Sequence, residues 1–240
     1  MRATFVFSFT LATVAACAAR TPGAQPHEMG SAAHEEESRR EERAAASHEE
    51  QYEPGATTTR VECGTAGFGR QVCWTSVVNP TEAHLREAER HRRAAADHRA
   101  ASTALQSAEA SACVGIADDD RDISPFEHTE DAAAVAPLYA DRPGAQTGQE
   151  LEGAVVTLRD VPGLTGDWLQ RIVDCHLARN VSLGHVVPEM PDCPLVPVGA
   201  RATVASVPEG FRVEIRSEDD AAAADILARA RRLVEPRAAR

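Results

Sequence analysis

The chain has 240 residues and a formal net charge of −12, and all 25 of its basic residues are Arg. An acidic chain without a basic face is not a general nucleic-acid binder. Six Phe, two Trp and two Tyr cannot furnish one large compact core, so a modest globular domain joined to polar helices is expected. The Arg-only, Ala-rich composition reads as the mark of a GC-rich genome.

The chain opens with Met1-Arg2, the apolar run ATFVFSFTLATVAA (3–16) and Cys17. A positive charge, a short apolar stretch and small residues before a cleavage point have the make-up of a secretory signal. The run is shorter than the roughly 20 apolar residues that span a bilayer. Val14-Ala15-Ala16-Cys17 resembles the lipobox of bacterial lipoproteins. That resemblance implies removal of residues 1–16 and acylation of Cys17, with several chains each contributing about 0.8 kcal/mol per buried methylene. Ala18 follows where inner-membrane lipoproteins carry Asp, which points to the outer membrane, facing the periplasm.

Residues 17–30 read as a flexible tether and residues 31–112 as a helical region. Within it, 31–51 is rich in Glu, Arg and Ala, strong helix formers. Pro54, Gly55 and a Thr run break the pattern, and Cys63 and Cys73 flank a Gly-rich centre. A disulfide-clipped loop or small hairpin is expected there. Asn79, Pro80 and Glu82 then form a capping arrangement for a helix running to about residue 112.

These two helical stretches repeat one another. EERAAASH (41–48) and HRRAAADH (91–98) are fifty residues apart, and the likeness extends back to Ala33/Ala83 and His34/His84. His84, His91 and His98 recur every seventh residue, as do His27, His34 and His48 with Glu41 in the vacant place. Seven residues is two helical turns, so each set lies along one face. Ala88 and Ala95, leading on to Ser102 and Leu105, add a narrow stripe of small residues beside them. The expectation is an antiparallel helical hairpin packed on its Ala/His faces, against the plainer reading of two independent solvated helices. Histidines seven apart sit about 10.5 Å from one another along the axis, so a metal site would need ligands from both helices.

Residues 113–150 read as an irregular acidic linker. Asp118-x-Asp120-x-Asp122 superficially resembles an EF-hand loop, but Ile123 and Thr129 stand where Gly and Glu are required. From 151 to 236 the patterning is globular. A strand at 153–160 leads to a helix capped by Thr165, with Trp168, Leu169, Ile172, Val173 and His176 on one face. Strands at 200–206 and 211–216 are joined by VPEG, and a last helix, capped by Ser217 with Asp220, stops before Pro236. The fold class is therefore α+β: an N-terminal polar helical hairpin with a disulfide-clipped loop, plus a small C-terminal β-α-β-β-α sandwich. That order, with VPGLTGDWLQRIV (161–173), resembles heavy-metal-associated domains of ferredoxin-like fold. Gly166 and Leu169 replace that family's metal-binding cysteines, so its copper chemistry is not implied, and no final strand is recognisable after 234.

Six cysteines in an exported chain suggest disulfides. With Cys17 lipidated, sequence proximity favours Cys63–Cys73 and Cys175–Cys193 and leaves Cys113 over. The stretch 174–195 also gathers Cys175, His176, His185, Met190 and Cys193, a set that could hold Zn or Cu. No nucleophile elbow, phosphate loop, dinucleotide fingerprint or zinc-protease motif occurs, so no enzymatic activity is expected. Two functions follow: a lipid-anchored envelope lipoprotein of structural or protein-interaction type, touching the membrane and a protein partner; or a periplasmic Zn/Cu binder using His176 and His185.

Overall fold

The structure, a computed structural model, describes residues 22–23, 25–141 and 149–235. Cys17 and the apolar run before it lie outside the described residues. The fold is α+β. Helix α1 (Ser31–Glu50) leads into a two-stranded antiparallel sheet, β1 (Thr58–Ala66) and β2 (Arg70–Val78). Helix α2 (Glu82–Ala112) then returns antiparallel to α1, as the contacts His48–His84 and His34–His98 require. At 31 residues α2 is about 46 Å long, and with α1 and the hairpin it makes an arm.

The start of α2 differs slightly from its capping signature. Thr81 is the boundary residue, and the Asn79 carboxamide acts from two residues earlier. Its Oδ1 accepts from Thr81 N at 2.8 Å and from the Thr81 hydroxyl, while its Nδ2 donates to the Glu53 carbonyl. Asn79 thus ties the two ends of the loop that carries the β hairpin.

Four strands build the second region: β3 (Ala132–Asp141), β4 (Gln149–Arg159), β5 (Arg201–Val207) and β6 (Gly210–Arg216). They form one antiparallel sheet in the order β3-β4-β6-β5. The short helix α3 (Asp118–Arg121) precedes β3, and α4 (Gly166–Ser182) and α5 (Asp220–Val234) pack on the sheet. The core follows from alternation along paired strands, where every second side chain faces the helices. Ala154, Val156 and Leu158 of β4 stand opposite Ile215, Val213 and Phe211 of β6, and all six are buried. Leu169 and Val173 of α4 and Ile226, Ala230 and Leu233 of α5 cover them. The Thr165 hydroxyl caps α4 by accepting from Trp168 N, as its sequence position suggests. The cap of α5 is Asp219, which accepts from Ala222 N, while Ser217 accepts from Asp219 N.

The segment 113–150 is not wholly a linker. Its strand β3 pairs with β4 over Ala132–Asp141, so the sheet has four strands where the sequence suggests three. Two features hide β3 in the sequence: a run of alanines, poor in strand propensity, and Pro137 in its middle. Proline is admissible only because β3 is an edge strand. β3 occupies the free side of β4, the place open to a strand following α5 in a β-α-β-β-α-β order.

Candidate functional site

The root of the arm is bolted to the domain. Cys113, at the end of α2, forms a disulfide with Cys175 of α4, and both are fully buried with Ile116. Arg179 of α4 pairs with Glu109 of α2 at 2.8 Å and with Asp122. On the other side, α1 begins against the last turn of α4, where Gly30 and Gly184 meet backbone to backbone. A Cβ on Gly30 would lie 2.7 Å from Gly184 N. Gly184 also has φ +68, so it needs glycine for both shape and space.

This root overturns one expected pairing. Cys175 bonds Cys113, 62 residues away, not Cys193. Cys193 is a buried free thiol. Burial pushes its pKa up, partly opposed by the Ser124 hydroxyl and the Leu195 backbone. Cys63 and Cys73 are joined to each other, directly opposite in the β1–β2 register.

Residues 174–195 do not converge. His176 is buried, its ring nitrogens have no hydrogen-bond partner of normal geometry, and desolvation lowers its pKa. His185 places Nδ1 2.8 Å from the Val196 carbonyl, and burial lowers its pKa too. Met190 and Cys193 belong to the apolar core. Among the described residues, neither His176 nor His185 joins a group of three or more His, Cys, Asp or Glu within metal-ligating reach. Each serves packing where it stands.

The chemistry-bearing side chains gather instead where the repeats meet. His34 Nδ1 lies 2.9 Å from His98 Nδ1, and His48 Nδ1 lies 3.1 Å from His84 Nδ1. At the centre, Glu41 Oε2 accepts from His91 Nδ1 at 2.5 Å, and the His91 and His48 rings stack 12° from parallel. The result is a ladder of imidazoles and one carboxylate between the helices. Ala45, Ala88 and Ala95 are buried, and Ser38 donates to the Ala95 carbonyl at 3.0 Å. Such a contact between side chain and opposing backbone requires the helices to approach closely, which the alanines permit.

The repeat explains the geometry. The fifty-residue shift relates His34 to His84, Glu41 to His91 and His48 to His98. The contacts join His34 to His98, Glu41 to His91 and His48 to His84. A pseudo-twofold axis therefore passes between Glu41 and His91 and exchanges the two outer pairs. The same axis exchanges the ion pairs Glu42–Arg99 and Arg92–Glu49, with charges inverted between the copies. Two α1 helices packed this way would set Glu42 against Glu49, and two α2 helices Arg92 against Arg99. Charge inversion thus selects α1 on α2 over either helix on its like.

At the far end of the arm, β1 and β2 are exposed along nearly their whole length. Val61, Trp74 and Val77 are 68%, 50% and 71% exposed. Phe68 caps the turn with φ +65, an unusual backbone for a bulky residue, and its side chain is fully exposed. An isolated hairpin is marginal in water, so the Cys63–Cys73 crosslink at mid-strand is what holds it.

No protein family, no curated protein and no solved structure matches this chain.

Sequence spacing gave the signal for the ladder, in the heptad histidines and the repeated RAAA phrase. It lacked the pairing, which decides that Glu41 meets His91 across the seam. Among the described residues no helix is long and apolar enough to cross a membrane.

Proposed function

We propose that this protein is a lipid-anchored cell-envelope protein of interaction type, held to the outer membrane through Cys17, whose arm presents the β1–β2 hairpin to a protein partner. The observation that carries the reading is the tip itself. An apolar hairpin with a Phe in a left-handed turn, crosslinked at its middle, spends backbone strain to display side chains that stay largely exposed among the described residues. Exposed aromatic side chains of this kind supply most of the energy at protein interfaces. Among the described residues both outer strand edges are also unpaired, which suits addition of a partner strand.

Two disulfides support an oxidising compartment, and the apolar run before Cys17 supports export and acylation. The disulfide and ion pairs at the root keep the arm from folding back onto the domain, so the tip stands away from it. No observation favours a Zn or Cu site in 174–195, because Cys175 is consumed by Cys113 and the two histidines lie in separate packing environments.

The test is site-specific photocrosslinking in cells with a reactive residue at position 68, against a control at exposed Glu36 of α1. A single adduct of defined mass at 68, absent at 36 and lost with Trp74→Ser, supports the reading. No adduct at 68, or the same adducts at both positions, overturns it.

A further inference from the structure

The arm carries a second feature that the docking role does not use. His48 of α1 and Glu87 and His91 of α2 each offer a ligand atom, and these atoms lie within 4.8 Å of one another. They are the one such group among the described residues, and all three are half-buried at the helix interface. Glu87 and His91 are one helical turn apart, the spacing at which two side chains reach one ion. The third ligand comes from the opposite helix.

We propose that His48, Glu87 and His91 form a zinc(II) site that ties α1 to α2. Two imidazoles and a carboxylate are a standard three-ligand set for zinc, with water in the fourth position. The imidazoles disfavour Mg and Ca, and the lack of a thiolate or thioether disfavours Cu(I). Zinc ligands at about 2.0–2.1 Å stand about 3.3 Å apart in a tetrahedron, so the side chains close by an ångström or so on binding.

Independent support comes from the surroundings of the two rings. His91 gives Nδ1 to Glu41 at 2.5 Å, and His48 Nδ1 faces His84 Nδ1 at 3.1 Å. Among the described residues no protein hydrogen bond engages Nε2 of either ring, which leaves that nitrogen as the ligand. A carboxylate on the far nitrogen of a metal-bound imidazole fixes its tautomer and raises its basicity, the usual outer shell of a zinc histidine. Arg90, largely exposed, pairs with Glu87 and would have to release it.

The pseudo-twofold axis sharpens the claim. It carries His48, Glu87 and His91 onto His98, Glu37 and Glu41, so the second copy has one imidazole where the first has two. Only the first set falls within ligating range among the described residues. The expected stoichiometry is one zinc per chain, not two.

The experiment uses the tag-free, detergent-solubilised full chain, dialysed against zinc(II). Metal content and competition with a chromophoric chelator are read, and helicity is followed by circular dichroism. One zinc per chain is expected, with affinity falling at least 30-fold in His48→Ala and His91→Ala. Glu41→Gln, which removes only the outer-shell carboxylate, should weaken binding about 10- to 100-fold. His128→Ala, at an exposed histidine outside the arm, should leave it unchanged. Cobalt(II) substitution should give the visible absorption of a four-coordinate site, lost in His91→Ala even where zinc content is ambiguous. Metal-free protein, or zinc retained by helical His48→Ala and His91→Ala variants, overturns the proposal. So does zinc that disappears with His176→Ala or His185→Ala. None of these results bears on the docking reading, whose readout is the adduct at position 68.

Discussion

The arm and the domain are held together by different forces. The domain buries a continuous apolar cluster from β4, β6, α4, α5 and the segment 187–196. In the arm, the buried residues of the helical pair are Ala45, Ala88, Ala95, His34, Ser38 and Ser102. None of these contributes more than a small apolar surface. The domain therefore draws on the hydrophobic effect, at about 25 cal/mol per Å² removed from water. The arm draws on close backbone approach, imidazole pairs, cross-helix ion pairs and two disulfides. It should respond to redox state, steric bulk and salt, while the domain should respond mainly to changes in its core, and acid should act on both.

Redox state should produce the largest effect. Cys113–Cys175 closes a loop of 62 residues, for which the chain-entropy account gives about 4 kcal/mol. The double variant Cys113→Ser/Cys175→Ser should lower unfolding free energy by about that amount in urea, and should also loosen α2 from α4. Hydrogen exchange along α2 would report the second effect. If α2 kept its protection in that variant, Arg179 and the Gly30–Gly184 contact would be the true root.

Bulk at the arm seam comes next. Ala95 is fully buried and its carbonyl accepts from Ser38, so Ala95→Leu must push the helices apart at about 1–3 kcal/mol. The prediction is local: exchange accelerates across α1 and α2, while amides of β4 and β6 stay protected. Uniform loss over both regions would mean that arm and domain unfold as one unit.

Acid should open the arm too. Burial, reinforced by neighbouring His98, lowers the His34 pKa below its ordinary 6.5. The unfolded chain then binds a proton that the folded chain does not, so stability is unaffected above that value and falls as pH drops through about 6.5. In the domain, His176, facing Arg179 and Asp122, and His185, facing the Val196 carbonyl and Glu28, are lowered by burial and act in the same direction. The hydrogen bond from His91 holds the Glu41 carboxyl below its usual 4.5, so its contribution is present above that value and is lost under stronger acid. The check is a urea midpoint series between pH 8 and pH 4, with His34→Gln removing part of the first loss.

Charge inversion should give the smallest effect. Glu42–Arg99 and Arg92–Glu49 are about half exposed, and such pairs contribute about 0–1 kcal/mol each. Glu42→Arg should cost less than about 1 kcal/mol at low salt and almost nothing at high salt. Partner choice is the more informative readout: with Glu42→Arg/Glu49→Arg, both copies carry like charge along this row and the seam loses its preference.

The legible parts of the fold are those written in local chemistry. The heptad histidines, the Thr165 cap and the alternation in β4 and β6 each name their element from neighbouring residues. β3 was not legible, because an Ala-rich edge strand with Pro137 looks like a linker until β4 is beside it. The Cys113–Cys175 pair was hidden for the same reason, since sequence proximity favours Cys193 and only the return of α2 onto α4 brings Cys113 close. Spacing alone does not set Glu87 beside His48, because that depends on which turn of α1 faces it.

The account centres on an exported, anchored chain whose arm is rooted in its domain by a disulfide. Peptide-mapping mass spectrometry of the mature protein, without reductant, tests this most directly. The predicted result is an acylated Cys17, Cys63 linked to Cys73, Cys113 linked to Cys175, and Cys193 as a free thiol. An unlipidated chain with its leader intact, or a Cys175–Cys193 crosslink, would contradict it.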